Sequence, residues 1–91
     1  MANIKSAAKR AALAETRRER NASIKSSAKT AIRRFDEALR SGDIDSAGEK
    51  LIQAVRRLDK ATTKGVIHPR TTARKKSRLY ARFNNMKKQA E

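Results

Sequence analysis

Arg74, Arg78 and Arg82 recur every four residues, the spacing that aligns side chains along one side of a helix. Guanidiniums so ordered can fork onto successive phosphate oxygens. Arg70, Lys75 and Lys76 surround them, and Ser77 and the Thr71-Thr72 pair add short hydroxyl donors. An earlier tract offers the same chemistry over a longer run: Lys5, Lys9, Arg10, Arg17, Arg18, Arg20, Lys25 and Lys29. Asn3, Ser6 and Asn21 interrupt it as uncharged donors and acceptors. Only two acids, Glu15 and Glu19, lie among those eight cations, so pairing along the helix cannot neutralise them. The pattern calls for a polyanion. The aromatics nearest the second tract, Tyr80 and Phe83, read as part of an apolar seam, so stacking on single-stranded bases is not expected. The expected mode is backbone and groove-shape recognition of folded helical RNA, with base contacts limited to Asn3, Asn21 or an arginine.

Other chemistries find little support. The chain has one histidine, no cysteine, no metal-ligand spacing and no glycine-rich phosphate loop. His68, just before Pro69, reads as a helix cap that could also touch a phosphate. Asp36, Glu37, Asp43, Asp45, Glu49 and Asp59 match no known cation loop, and Asp43 and Asp45 suit the positive N-terminus of a helix. We therefore expect a non-enzyme with no catalytic, metal or cofactor-binding residues.

The charge is both large and uneven. The formal net charge is +15 in 91 residues, too much for a compact body to carry without self-repulsion. Residues 1–34 hold ten basic groups against two acidic ones, and residues 64–91 hold nine against one. Residues 35–63 hold five against six, so the near-neutral middle is where the chain should pack on itself. Without cysteine there is no disulfide framework. Lys9 and Arg10 break what would be the apolar core of a signal peptide, and no run approaches the roughly 20 apolar residues of a membrane span. A cytoplasmic protein without a membrane partner is expected.

The elements that must position these cations are helices. Residues 3–40 contain neither glycine nor proline and are rich in Ala, Arg, Lys and Glu. As a single helix they would run roughly 57 Å at 1.5 Å per residue. Its stripe of Ile24, Ala28, Ala31, Ile32, Phe35 and Leu39 has the spacing of a core-facing seam. Traced toward the N-terminus, the same face presents Asn3, Ser6, Arg10, Ala14, Arg17 and Asn21. A seam that exchanges Ile and Phe for Arg and Asn has left the core, and the half-helix beyond Asn21 is expected to protrude and to become fully ordered only on its partner. Gly42 and Asp43 suit a C-terminal cap and the next N-cap. A second helix is predicted over 44–63, and a third over 69–89 with Pro69 in its first turn. The expected core is Ile24, Ile32, Phe35, Leu39, Ile44, Leu51, Ile52, Val55, Leu58, Val66, Ile67, Leu79, Tyr80, Phe83 and Met86. The fold class is all-α: one domain, a three-helix bundle whose very long first helix extends beyond the core.

Two motifs carry a specific resemblance. The opening Ala2-Asn3-Ile4-Lys5-Ser6-Ala7, then Lys9-Arg10 and Arg17-Arg18 with Asn21, resembles the bacterial small-subunit ribosomal protein S-twenty family. So does Gly65-Val66-Ile67-His68 followed by Ala73-Arg74-Lys75-Lys76-Ser77-Arg78-Leu79. The likeness spans the whole chain, although Pro69 stands where the family commonly has another residue. It implies a three-helix protein of the small (30S) ribosomal subunit that binds 16S ribosomal RNA directly during assembly. It further implies a place on the 5′ domain and the long 3′ minor-domain helix, as a single copy among other small-subunit components. Carried over by position, Asn3, Lys5, Ser6, Lys9, Arg10, Arg17, Arg18 and Asn21 would face RNA from the long helix. Arg74, Lys75, Lys76, Ser77 and Arg78 would do so from the last. The charge reading adds Arg20, Lys25, Lys29, His68, Arg70 and Arg82.

An architectural, histone-like nucleic-acid-binding protein is the alternative, but no dimerisation surface or base-reading helix face stands out. A membrane-surface helix would need bulky apolar residues opposite the charges of residues 3–20, where only Ile4 and Leu13 occur.

Overall fold

The computed structural model describes residues 2–90, with side chains placed for residues 4–89. Three helices follow one another: α1 (Ala2–Ser41), α2 (Ile44–Thr63) and α3 (Pro69–Ala90). Their boundaries fall within a residue of those expected, because the capping residues act as read. Gly42 takes φ +78° and donates its N–H to the Leu39 carbonyl at 3.2 Å, closing α1. The Asp43 side chain then accepts the Ser46 N–H at 3.1 Å and opens α2. At the other end of α2 the Gly65 N–H bonds to Thr62 at 3.0 Å and the Val66 N–H to Ala61 at 2.9 Å. With Gly65 at φ +76° this is a complete Schellman termination.

Helix α2 lies between the other two, packing on α1 along one flank and on α3 along the other. Its buried line is Ala47, Leu51, Ala54, Leu58 and Ala61, a 4-3-4-3 spacing that alternates small and large side chains. Ala28, Phe35 and Ala38 from α1 and Leu79 from α3 complete the buried cluster. Ile32, Leu39, Val55, Ile67, Phe83 and Met86 pack around it half-buried. Five of the nine buried hydrophobic residues are alanines, which let the helices approach closely.

Two expected core residues are corrected. Ile52 is 54% exposed and Tyr80 is 45% exposed. Each stands 100° around its helix from a buried leucine, Leu51 and Leu79 respectively, and the next inward position goes to Ala54 in α2 and to Phe83 in α3. Among the described residues the buried polar one is Thr72, whose hydroxyl bonds to that of Thr62; Thr62 in turn donates to the Leu58 carbonyl at 2.9 Å. The pair fixes the register of α3 on α2 without leaving a buried polar atom unsatisfied among the described residues.

The bundle occupies only part of the molecule. The radius of gyration is 18.2 Å and the extents are 70 × 22 × 13 Å. A compact chain of this length would have a radius of gyration of about 12 Å. The difference is the N-terminal half of α1: residues 4–23 are exposed, and burial begins at Ile24.

Candidate nucleic-acid interface

Residues 4–23 form a bare helical rod on which Lys5, Ser6, Lys9, Arg10, Arg17, Arg18, Arg20 and Asn21 are all exposed. The Asn3 side chain lies outside the described residues. One cation here is engaged: Arg18 approaches Glu15 at 3.4 Å, an exposed pair worth a fraction of a kcal/mol. The helical repeat sets Lys5, Lys9 and Arg20 on one flank of the line through Ala28 and Phe35, and Arg18, Lys25 and Lys29 on the other. Arg10 and Arg17 continue that line itself. The rod thus carries two cationic lanes and a cationic ridge between them.

Where the rod enters the bundle, the second lane meets the second basic tract. Lys25 and Lys29 from α1 face His68, Thr71 and Lys75 across a groove of about 220 Å³. Its floor is apolar: Ala28, Ile32, Leu58, Val66 and Ile67. An adjoining hollow continues past Lys75 to Arg78 and Arg82. Two tracts more than 40 residues apart in sequence are joined here because α3 lies beside α1 and advances in the same direction, from His68 near Lys25 to Arg82 at Asp36. His68 caps α3: its Nδ1 accepts the Arg70 N–H at 3.1 Å and its carbonyl accepts the Thr72 N–H at 3.1 Å.

Not every predicted cation is equally available. Lys76 is bonded to Asp59 at 2.9 Å, tying α3 to α2, and Arg82 is paired with Asp36, tying α3 to α1. The arginine stripe of Arg74, Arg78 and Arg82 is shortened at its C-terminal end by that pairing. Arg70, Arg74, Ser77 and Arg78 stand exposed, and among the described residues none of the three arginines has an acidic partner.

A third cluster was missed. Arg34 of α1 and Arg56, Arg57 and Lys60 of α2 line the groove between those helices. The count over residues 35–63 hid it by averaging. Five of the six acids there precede Lys50, while Arg56, Arg57 and Lys60 follow it, so a finer window would have shown the reversal. Tyr80, expected in the core, is also exposed, so one aromatic is accessible beside the second tract. Among the described residues no group of His, Cys, Asp and Glu could hold a metal ion, and no helix is long and apolar enough to cross a membrane.

Comparison with known proteins meets this geometry. Residues 2–84 match a family model described as "Ribosomal protein S20". The chain is 54% identical over 90 residues to the "Small ribosomal subunit protein bS20" of Caldanaerobacter subterraneus, an alignment covering 99% of this chain and 86% of the relative. The protein of that description from Pelotomaculum thermopropionicum is 55% identical, covering 94% and 98% of the two chains. That from Nocardia farcinica is 55% identical, covering 94% and 100%.

Proposed function

Since the chain belongs to the ribosomal protein S20 family, a family of structural, non-enzymatic proteins, we propose that it binds the 16S RNA of the small ribosomal subunit directly. In this reading it acts as one copy within that cytoplasmic ribonucleoprotein, beside other subunit components, and serves translation by helping the RNA to fold into place. The RNA-facing residues are Asn3, Lys5, Ser6, Lys9, Arg10, Arg17, Arg18, Arg20, Asn21, Lys25 and Lys29 from α1. His68, Arg70, Arg74, Lys75, Lys76, Ser77, Arg78 and Arg82 complete the surface. Its RNA partners are the 5′ domain and the 3′ minor-domain helix.

The observation that carries the reading is the bare rod. Residues 4–23 bury nothing against their own protein, yet hold six cations against two acids. Phosphates brought close to such a helix release counterions, and that release supplies most of the binding free energy. A rod with cations on both flanks can lie between two RNA backbones, neutralise each, and so set the distance between them. Mechanistically this is electrostatic bridging by a pre-shaped scaffold, with His68 and Thr71 lining the groove where the rod joins the bundle. Lys76 and Arg82 contribute while still paired, as charges shared between RNA and Asp59 or Asp36.

The test is affinity for a 16S 5′-domain transcript against length-matched duplex DNA and an unrelated RNA, titrated over salt. Preference for the ribosomal RNA that persists at high salt, with a steep slope, is expected. Equal binding to all three would leave only nonspecific polyanion binding and return the architectural reading.

A further inference from the structure

The α1–α2 groove has a volume of about 580 Å³, and its charged lining is entirely positive: Arg34, Arg56, Arg57 and Lys60. All four are exposed, and among the described residues none is paired with an acid. Ser27, Thr30 and Gln53 add neutral donors to its walls. A second hollow of about 210 Å³ shares Ser27, Arg57 and Lys60 and extends the groove to Ser23, toward the rod.

We propose that this groove is a separate binding site for the sugar-phosphate backbone of an RNA helix, a second strand held on the face of the bundle away from the His68–Lys75 groove. The proposal rests on the RNA-binding reading above and deepens it. On α1, Ser27 and Arg34 lie on the flank that carries Lys5, Lys9 and Arg20, opposite Lys25 and Lys29. The first cationic lane of the rod therefore runs into the α1–α2 groove, just as the second runs into α3. A structural role accounts for only part of the cluster. Cations near the end of α2 gain from the helix dipole, but that effect fades beyond the last turn, which contains Lys60 and neither arginine. Arg56 and Arg57 gather beside Arg34 with like-charge repulsion and, among the described residues, no ion pair to offset it; a polyanion in the groove lowers that cost.

The experiment compares full-length wild type with R56Q/R57Q and R74Q/R78Q. Salt-titrated affinity for the 16S 5′-domain transcript is measured, followed by capture of a second, fluorescent RNA duplex by the one-to-one complex. For R56Q/R57Q we expect an unchanged or raised Tm, a transcript salt slope close to that of wild type, and loss of duplex capture. R74Q/R78Q should instead weaken transcript binding, through the other face. Full capture by R56Q/R57Q, or none by wild type, would overturn the groove site, as would a fall in the Tm of R56Q/R57Q that accounts for the loss of capture. A wild type with no preference for the transcript over DNA would instead sink the ribosomal reading, while the difference between the two variants still decides the groove.

Discussion

The two halves of α1 are one continuous helix with similar helix-forming composition, yet they are held by different forces. Residues 24–41 place Ala28, Phe35 and Ala38 in the core, and their helicity is secured by burial. Residues 4–23 are all exposed, and their helicity rests on backbone hydrogen bonds, propensity and local pairs such as Arg18–Glu15. An isolated stretch of this length is marginal in water. The contrast teaches that the bundle is a foundation for the rod: α2 and α3 nucleate the C-terminal half, and the N-terminal half propagates from it. Nucleation is the costly step in helix formation, so a pre-formed end lowers the cost of ordering the rod on a polyanion.

The largest expected effect breaks the foundation. Phe35 is fully buried, and Phe35→Ala should cost about 3–5 kcal/mol, enough to unfold much of a marginal domain in thermal or urea melts. The exposed Ile52→Ala should cost far less; equal losses would erase the distinction between core and surface drawn here. Next comes removal of residues 1–20, which deletes six cations and no core residue. Transcript affinity should fall by about two orders of magnitude or more at physiological salt while Tm changes little. A collapse of the melting transition would show that the two halves are one cooperative unit. Hydrogen exchange on the intact protein sharpens this further: amides of residues 4–23 should exchange with little protection and gain it on binding RNA.

Smaller effects probe the foundation alone. Thr72→Val removes the hydroxyl bonded to Thr62 and should cost about 1 kcal/mol, whereas Thr72→Ser should retain most of the stability. Gly48 lies inside α2, and a methyl group there would meet the Phe83 ring at 3.5 Å, an ordinary contact. Gly48→Ala should stabilise the protein by about 0.5–1 kcal/mol in denaturant melts. It should leave RNA affinity unchanged, because it touches neither cationic lane.

Much of this was legible in the chain. Gly42-Asp43, Lys64-Gly65 and Pro69 set the helix boundaries through local chemistry, which needs no tertiary information. The loss of the apolar seam before Ile24 marked the rod. What escaped was the rotational setting of α2 and α3. A core counted from Val upward includes Ile52 and Tyr80, and neither Ala54 nor Ala61 stands out as an inward position. Helix packing selects a narrow line of positions and accepts alanine on it when close approach of the backbones gains more contact than a larger side chain would. Thr72 reads as a surface hydroxyl until α3 is laid against Thr62.

Three helices, their ends, the excess of positive charge and the point at which the first helix leaves the core are written in the order of residues along the chain. These follow from propensity, capping and periodicity, all local to a few turns of chain. Which cations stand together depends on how the helices pack. The antiparallel return of α2 places Arg56, Arg57 and Lys60 beside Arg34, the return of α3 places Lys75 across from Lys29, and Asp59 and Asp36 engage Lys76 and Arg82. Charge clustering depends on distance through space, and a count along the chain contains no such distance.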